Sequence, residues 1–62
     1  MLWRLYKAGG VAVCDLRDAG AWELVVRIDN EITGTRRYDS ERIARYYGDA
    51  LRQDYLRDGW TE

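Results

Sequence analysis

The sequence predicts an α+β fold: an antiparallel β-meander of three or four strands followed by one C-terminal α-helix packed on one sheet face. Three observations predict it. Apolar residues alternate with polar ones up to about Tyr38, three turn signals interrupt that alternation, and a capped stretch of helical periodicity then runs to Gly59-Trp60. The 62 residues make a single domain, 1–62, with no internal repeat, linker or low-complexity segment.

Leu2 to Lys7 is a short aromatic and aliphatic run, and Ala8-Gly9-Gly10 after it supplies the positive φ angles of a tight hairpin. Val11 to Arg17 alternates weakly, with Val11, Val13 and Asp15 on one face and Ala12, Cys14 and Leu16 on the other. Asp18-Ala19-Gly20 is a turn starter closed by a glycine. Trp22, Leu24, Val26 and Ile28 then alternate with Glu23, Val25, Arg27 and Asp29, the cleanest half-buried strand pattern in the chain, which places this strand at the centre of the core. Asp29-Asn30-Glu31 is a polar turn, and Ile32 to Tyr38 returns as the last strand with Thr33, Thr35 and Arg37 on its polar face.

Asp39 or Ser40 is the expected N-cap, and Glu41 puts a carboxylate in the first turn, at the positive end of the helix dipole. Ile43, Ala44, Tyr47, Leu51 and Tyr55 form the expected core stripe, Gly48 and Ala50 leave room for close approach, and Arg42, Arg45, Asp49, Arg52 and Gln53 face outward. Tyr46 and Leu56 fall off the stripe. Gly59 is expected to end the helix in left-handed conformation with Trp60 folded back on the last turn.

A chain this short buries only ~60% of the surface its unfolded form exposes, so its stability needs support from a disulfide, a structural metal or a second chain. One cysteine and no histidine exclude an internal disulfide and leave no Cys/His set of zinc-ligand spacing. Association is the remaining route, and a homodimer or a protein partner is therefore expected. Catalysis is not: Cys14 lacks a histidine to hold it as thiolate and reads as a buried strand residue, while Asp15 with Asp18 and Asp54 with Asp58 read as turn and solvated-face carboxylates. Gly9-Gly10 is no phosphate loop, since no helix N-terminus with Lys and Ser or Thr follows it. No cofactor is expected.

Ten basic and eleven acidic residues give a formal net charge of −1 with no strong segregation, unlike the broad basic footprint of a phosphate-driven nucleic-acid binder. Nine of the cations are Arg, and with Phe and Pro absent this composition suggests a GC-rich bacterial genome. No run approaches the ~20 apolar residues of a membrane span and none resembles a signal peptide, so a soluble, cytoplasmic protein is expected.

One helix covers one sheet face, which leaves the other as the candidate interaction face, Val25, Arg27, Thr33, Thr35 and Arg37, together with an edge strand. The alternative is a nucleic-acid-binding module that uses Arg17, Arg27, Arg36 and Arg37.

Glu23-Leu24-Val25-Val26-Arg27, Ile32-Thr33-Gly34-Thr35, Tyr38-Asp39-Ser40-Glu41 and the closing Asp58-Gly59-Trp60 distantly resemble the WGR domain over the stretch from Glu23 to Trp60. Ile28-Asp29-Asn30 stands where the Trp-Gly-Arg signature would be, so the nucleic-acid contact implied by that family transfers to no residue here. The whole chain also resembles short uncharacterised bacterial proteins in which a Cys-containing strand, an acidic turn and a Trp-bearing strand precede a helix closing in Gly-Trp. That likeness implies no activity.

Overall fold

A computed structural model describes residues 1–62. Four antiparallel strands, β1 (Trp3–Lys7), β2 (Gly10–Asp18), β3 (Trp22–Ile28) and β4 (Glu31–Tyr38), form one sheet in the order β1-β2-β3-β4, and a single helix α1 (Glu41–Arg57) packs against it. The fold is the expected α+β meander with a C-terminal helix.

The turns follow local backbone chemistry. Lys7 pairs with Gly10 across a two-residue loop in which Ala8 (φ 47°) and Gly9 (φ 82°) both take positive φ, the twist-matched hairpin geometry. The loop is thus Ala8-Gly9, and Gly10 opens β2. Asp29 (φ 53°) and Asn30 (φ 71°) repeat the device between Ile28 and Glu31. The Asp29 carboxylate also accepts the Val11 amide at 3.0 Å, and the Asp29 amide donates to the Val11 carbonyl at 2.9 Å, so the second turn ties down the start of β2.

Register decides which side chains share a face. Trp3 lies opposite Cys14 and Cys14 opposite Val26, while Leu16 lies opposite Leu24 and Leu24 opposite Arg36. Trp3, Leu5, Ala12, Cys14, Leu24 and Val26 make the buried core beneath the helix. Between β3 and β4 the register shifts after Val26, which pairs with Gly34 while Arg27 pairs with Ile32, so Thr33 of β4 is the bulged residue, and its hydroxyl donates to the Val26 carbonyl.

Ser40 is the N-cap, its hydroxyl accepting the Ile43 amide at 3.1 Å. At the other end the Trp60 amide donates to the Tyr55 carbonyl and Gly59 (φ 97°) to the Leu56 carbonyl, the paired bonds of a Schellman motif. Trp60 packs on Tyr55 with ring centroids 5.7 Å apart, and Tyr55 packs on Trp3 at 5.3 Å. Beyond the cap, Thr61 exchanges two backbone hydrogen bonds with Tyr6 and covers part of the outer edge of β1.

The helix is rotated from the expected stripe. Ala44 and Gly48 are the buried positions, with Leu51, Tyr55 and Leu56 packed beside the core, whereas Ile43 and Tyr47 are exposed. The cause is close approach. A methyl group at Gly48 would stand 2.7 Å from Leu2 Cδ1 and 3.4 Å from Leu24 Cδ2, and the Trp3 indole donates to the Gly48 carbonyl at 2.9 Å, so the smallest side chains mark the line of contact. Centring that line on Ala44 and Gly48 turns Ile43 and Tyr47 outward and brings Leu56 in.

A candidate interaction surface on the outer side of the helix

The sheet face away from the helix is not bare. Glu23, on β3, accepts from Arg17 of β2 and from Arg37 of β4, each at 2.8 Å, and is 4% exposed. Register produces this arrangement directly, since Glu23 lies opposite both Arg17 and Arg37. The hydrogen bond from Arg17, and then that from Arg37, hold the Glu23 carboxyl below the usual carboxylate range. Arg27 pairs with Asp15 across the same strands. Beneath these cross-strand pairs Val25 is 1% exposed, with no helix above it.

The five residues expected to form an uncovered face are accordingly dispersed in role. Val25 is buried, Arg27 and Arg37 are ion-paired, and Thr35 is exposed. Thr33, displaced at the bulge, lines a shallow depression on the helix side with Val26, Gly34 and Leu51. What remains open on this face is a basin of about 880 Å³ beside β1 and β2, lined by residues that include Arg4, Tyr6, Val11, Val13 and Asp29. The four arginines considered for nucleic acid do not form one basic surface either. Arg17 and Arg37 share the single carboxylate of Glu23, Arg27 pairs with Asp15, and Arg36 lies on the helix side with Tyr38 and Tyr47.

Cys14 is fully buried in the core, and burial, reinforced by the neighbouring charge of Asp15, pushes its thiol up to about 11. No three His, Cys, Asp or Glu side chains converge in a metal-holding group, and no helix is long and apolar enough to cross a membrane.

Met1, Tyr6 and Ile32 are exposed singly around the sheet, whereas the exposed apolar residues that cluster lie on α1 and the end of β4. Tyr46 is 69% exposed, Tyr47 46% and Ile43 44%. Tyr38 and Tyr47 stack at 5.1 Å, and Tyr46 meets Tyr47 edge-on at 5.3 Å, so three tyrosines form one continuous cluster. Arg42 lies against Ile43, Tyr46 and Tyr47, and Arg36 against Tyr38 and Tyr47. Arg36, Arg42 and Arg4 are the cations that make no ion pair; the other seven all do. The helical pattern shows Tyr46 as off-core, but Ile43 and Tyr47 are hidden from the sequence because they sit within a plausible core stripe until the helix rotation is known.

Comparison with protein-family models, curated proteins and solved structures finds no match. The chemistry of the surface therefore carries the functional reading.

Proposed function

We propose that the protein is a small non-enzymatic interaction module whose contact surface is the tyrosine cluster on α1 and β4, Tyr38, Tyr46 and Tyr47, with Ile43, Arg36 and Arg42. The observation that carries this reading is the coincidence, on one side of the molecule, of its exposed aromatic cluster with two of its three unpaired arginines. Tyrosine and arginine are the residue types that protein interfaces favour and that most often supply binding energy there. The opposite face, by contrast, pairs Arg17, Arg27 and Arg37 with carboxylates and covers its central valine, leaving Arg4 as its one unpaired arginine.

The strand edges are weaker candidates. Tyr6 of β1 is already bonded to Thr61, and β4 carries a bulge together with Arg36 and Arg37, features that discourage edge-to-edge pairing. A buried, protonated cysteine supports the non-enzymatic part of the reading.

The test is a photo-crosslinking amino acid placed in the native cell at position 46, with position 37 as control. An adduct, to a second copy or to another protein, is expected from position 46 and not from position 37. Absence of any adduct from position 46 refutes the proposal.

A further inference from the structure

Resting on the reading of this surface as an interface, we infer that its occupant is a second copy of the chain, bound through the outer stripe of α1 with the two helices antiparallel about a twofold axis close to Tyr46.

The argument begins with the charges of the helix. Glu41 pairs with Arg45, Arg52 with Glu62 and Asp54 with Arg57. Arg42 and Asp49 are the charged residues of α1 left without a partner in their own chain. They are seven residues apart, two helical turns, so they lie on one stripe, and Tyr46 lies on that stripe between them. At a rise of about 1.5 Å per residue, Arg42 is about 6 Å to one side of Tyr46 along the axis and Asp49 about 4.5 Å to the other. They are too far apart along the helix for the ideal three- or four-residue pairing, yet nearly symmetric about the tyrosine.

In an isologous interface the twofold rotation makes every off-axis contact occur twice, residue i of one copy on residue j of the other and j on i, while a residue on the axis meets its own counterpart. With the axis at Tyr46, Arg42 of one copy stands beside Asp49 of the other, and Asp49 beside Arg42, so one contact satisfies both charges twice. Tyr46 meets Tyr46 at the centre, while Ile43 approaches Ala50, which is also exposed and small enough to admit it. This stripe lies on the side of the helix opposite Ala44 and Gly48, so dimerisation displaces none of the contacts that fold the monomer. A patch of one helix stripe is smaller than the ~800 Å² per partner of a standard interface, so the dimer is weak and dissociates on dilution.

The test is sedimentation equilibrium from about 1 mM to about 10 µM protein, with far-UV circular dichroism to verify folding. The wild type should approach twice its 7.3 kDa mass at the upper end and fall toward the monomer on dilution. Tyr46→Ala should weaken association at least tenfold, as should Arg42→Asp, which sets like charges opposite each other, and Asp49→Arg, which does the same with positive charge. The double variant Arg42→Asp/Asp49→Arg should recover most of the wild-type affinity. Mixing the two charge-reversal single variants should restore dimers that neither forms alone. A wild type that stays monomeric at the highest concentration, a dimer indifferent to these substitutions, or a mixture that stays monomeric would each overturn the inference. If the wild type is monomeric while position 46 still crosslinks to another protein in the cell, the second copy is excluded and the interaction surface stands; if neither occurs, both fall.

Discussion

Cys14 links core packing to chemistry that can be followed on a bench. Its Sγ is fully buried and its thiol is pushed from 9.0 up to about 11, chiefly by burial. At pH 8 the thiolate fraction is then roughly one in a thousand in the folded chain against roughly one in ten at the unshifted value, a hundredfold loss of reactivity from ionisation alone. Reagent access adds to this. If alkylation requires global opening, a stability of about 5 kcal/mol slows it several thousandfold relative to the unfolded chain. Iodoacetamide labelling followed by mass spectrometry, with and without denaturant, measures the ratio. The same shift sets an alkaline limit on stability. Between pH 9 and 11 the unfolded chain has released the thiol proton and the folded chain has kept it. The unfolded state thus binds fewer protons, and stability falls as pH rises, by up to about 3 kcal/mol. Urea midpoints across that range should decline more steeply in the wild type than in Cys14→Ala, which itself costs about 1 kcal/mol near neutrality. Labelling of the folded protein at the speed of a free thiol would refute the buried placement of Cys14, and with it part of the case for a non-catalytic chain.

Three further outcomes are expected. Glu23 has a depressed carboxyl pKa in the folded state, so its contribution is present above the unfolded value of about 4.3 and is lost as pH falls through the lower folded value; Glu23→Gln should be less stable at neutral pH and show a flatter acid limb in urea titrations. Trp3→Phe removes the indole bond to the Gly48 carbonyl and part of a buried ring, for a loss of about 1–2 kcal/mol in denaturant unfolding. Gly48→Val forces a branched side chain against Leu2 and Leu24 and should cost about 2 kcal/mol or more, measured the same way.

Reading the fold from sequence succeeded where neighbours along the chain decide the outcome. The alternation of Trp22, Leu24, Val26 and Ile28, the left-handed Asn30, the Ser40 cap and the Gly59 terminus all depend on side chains within a few residues of one another. The cover of the second sheet face is not legible in local sequence because it comes from across the strands. Arg17, Glu23 and Arg37 are separated by 6 and 14 positions in sequence, and only register brings them into a row that closes over the middle of the face. Uniform alternation puts Thr33 on the same face as Thr35 and Arg37, and a single bulge interrupts that alternation.

From its sequence alone the chain determined a meander of three or four strands followed by a helix, their order, their turns and the absence of a disulfide, since each follows from periodicity, backbone φ preferences or residue counts; the pairing of Trp3–Lys7 with β2 as a fourth strand is seen only in the fold. Tertiary structure alone decided the rotation of α1 and the pairing of charges. The first depends on how closely Gly48 can approach Leu2 and Leu24, the second on strand register and the reach of long side chains, and neither distance is written in local sequence. Those two decisions together leave Tyr46 outermost between an arginine and an aspartate that have no partner in their own molecule.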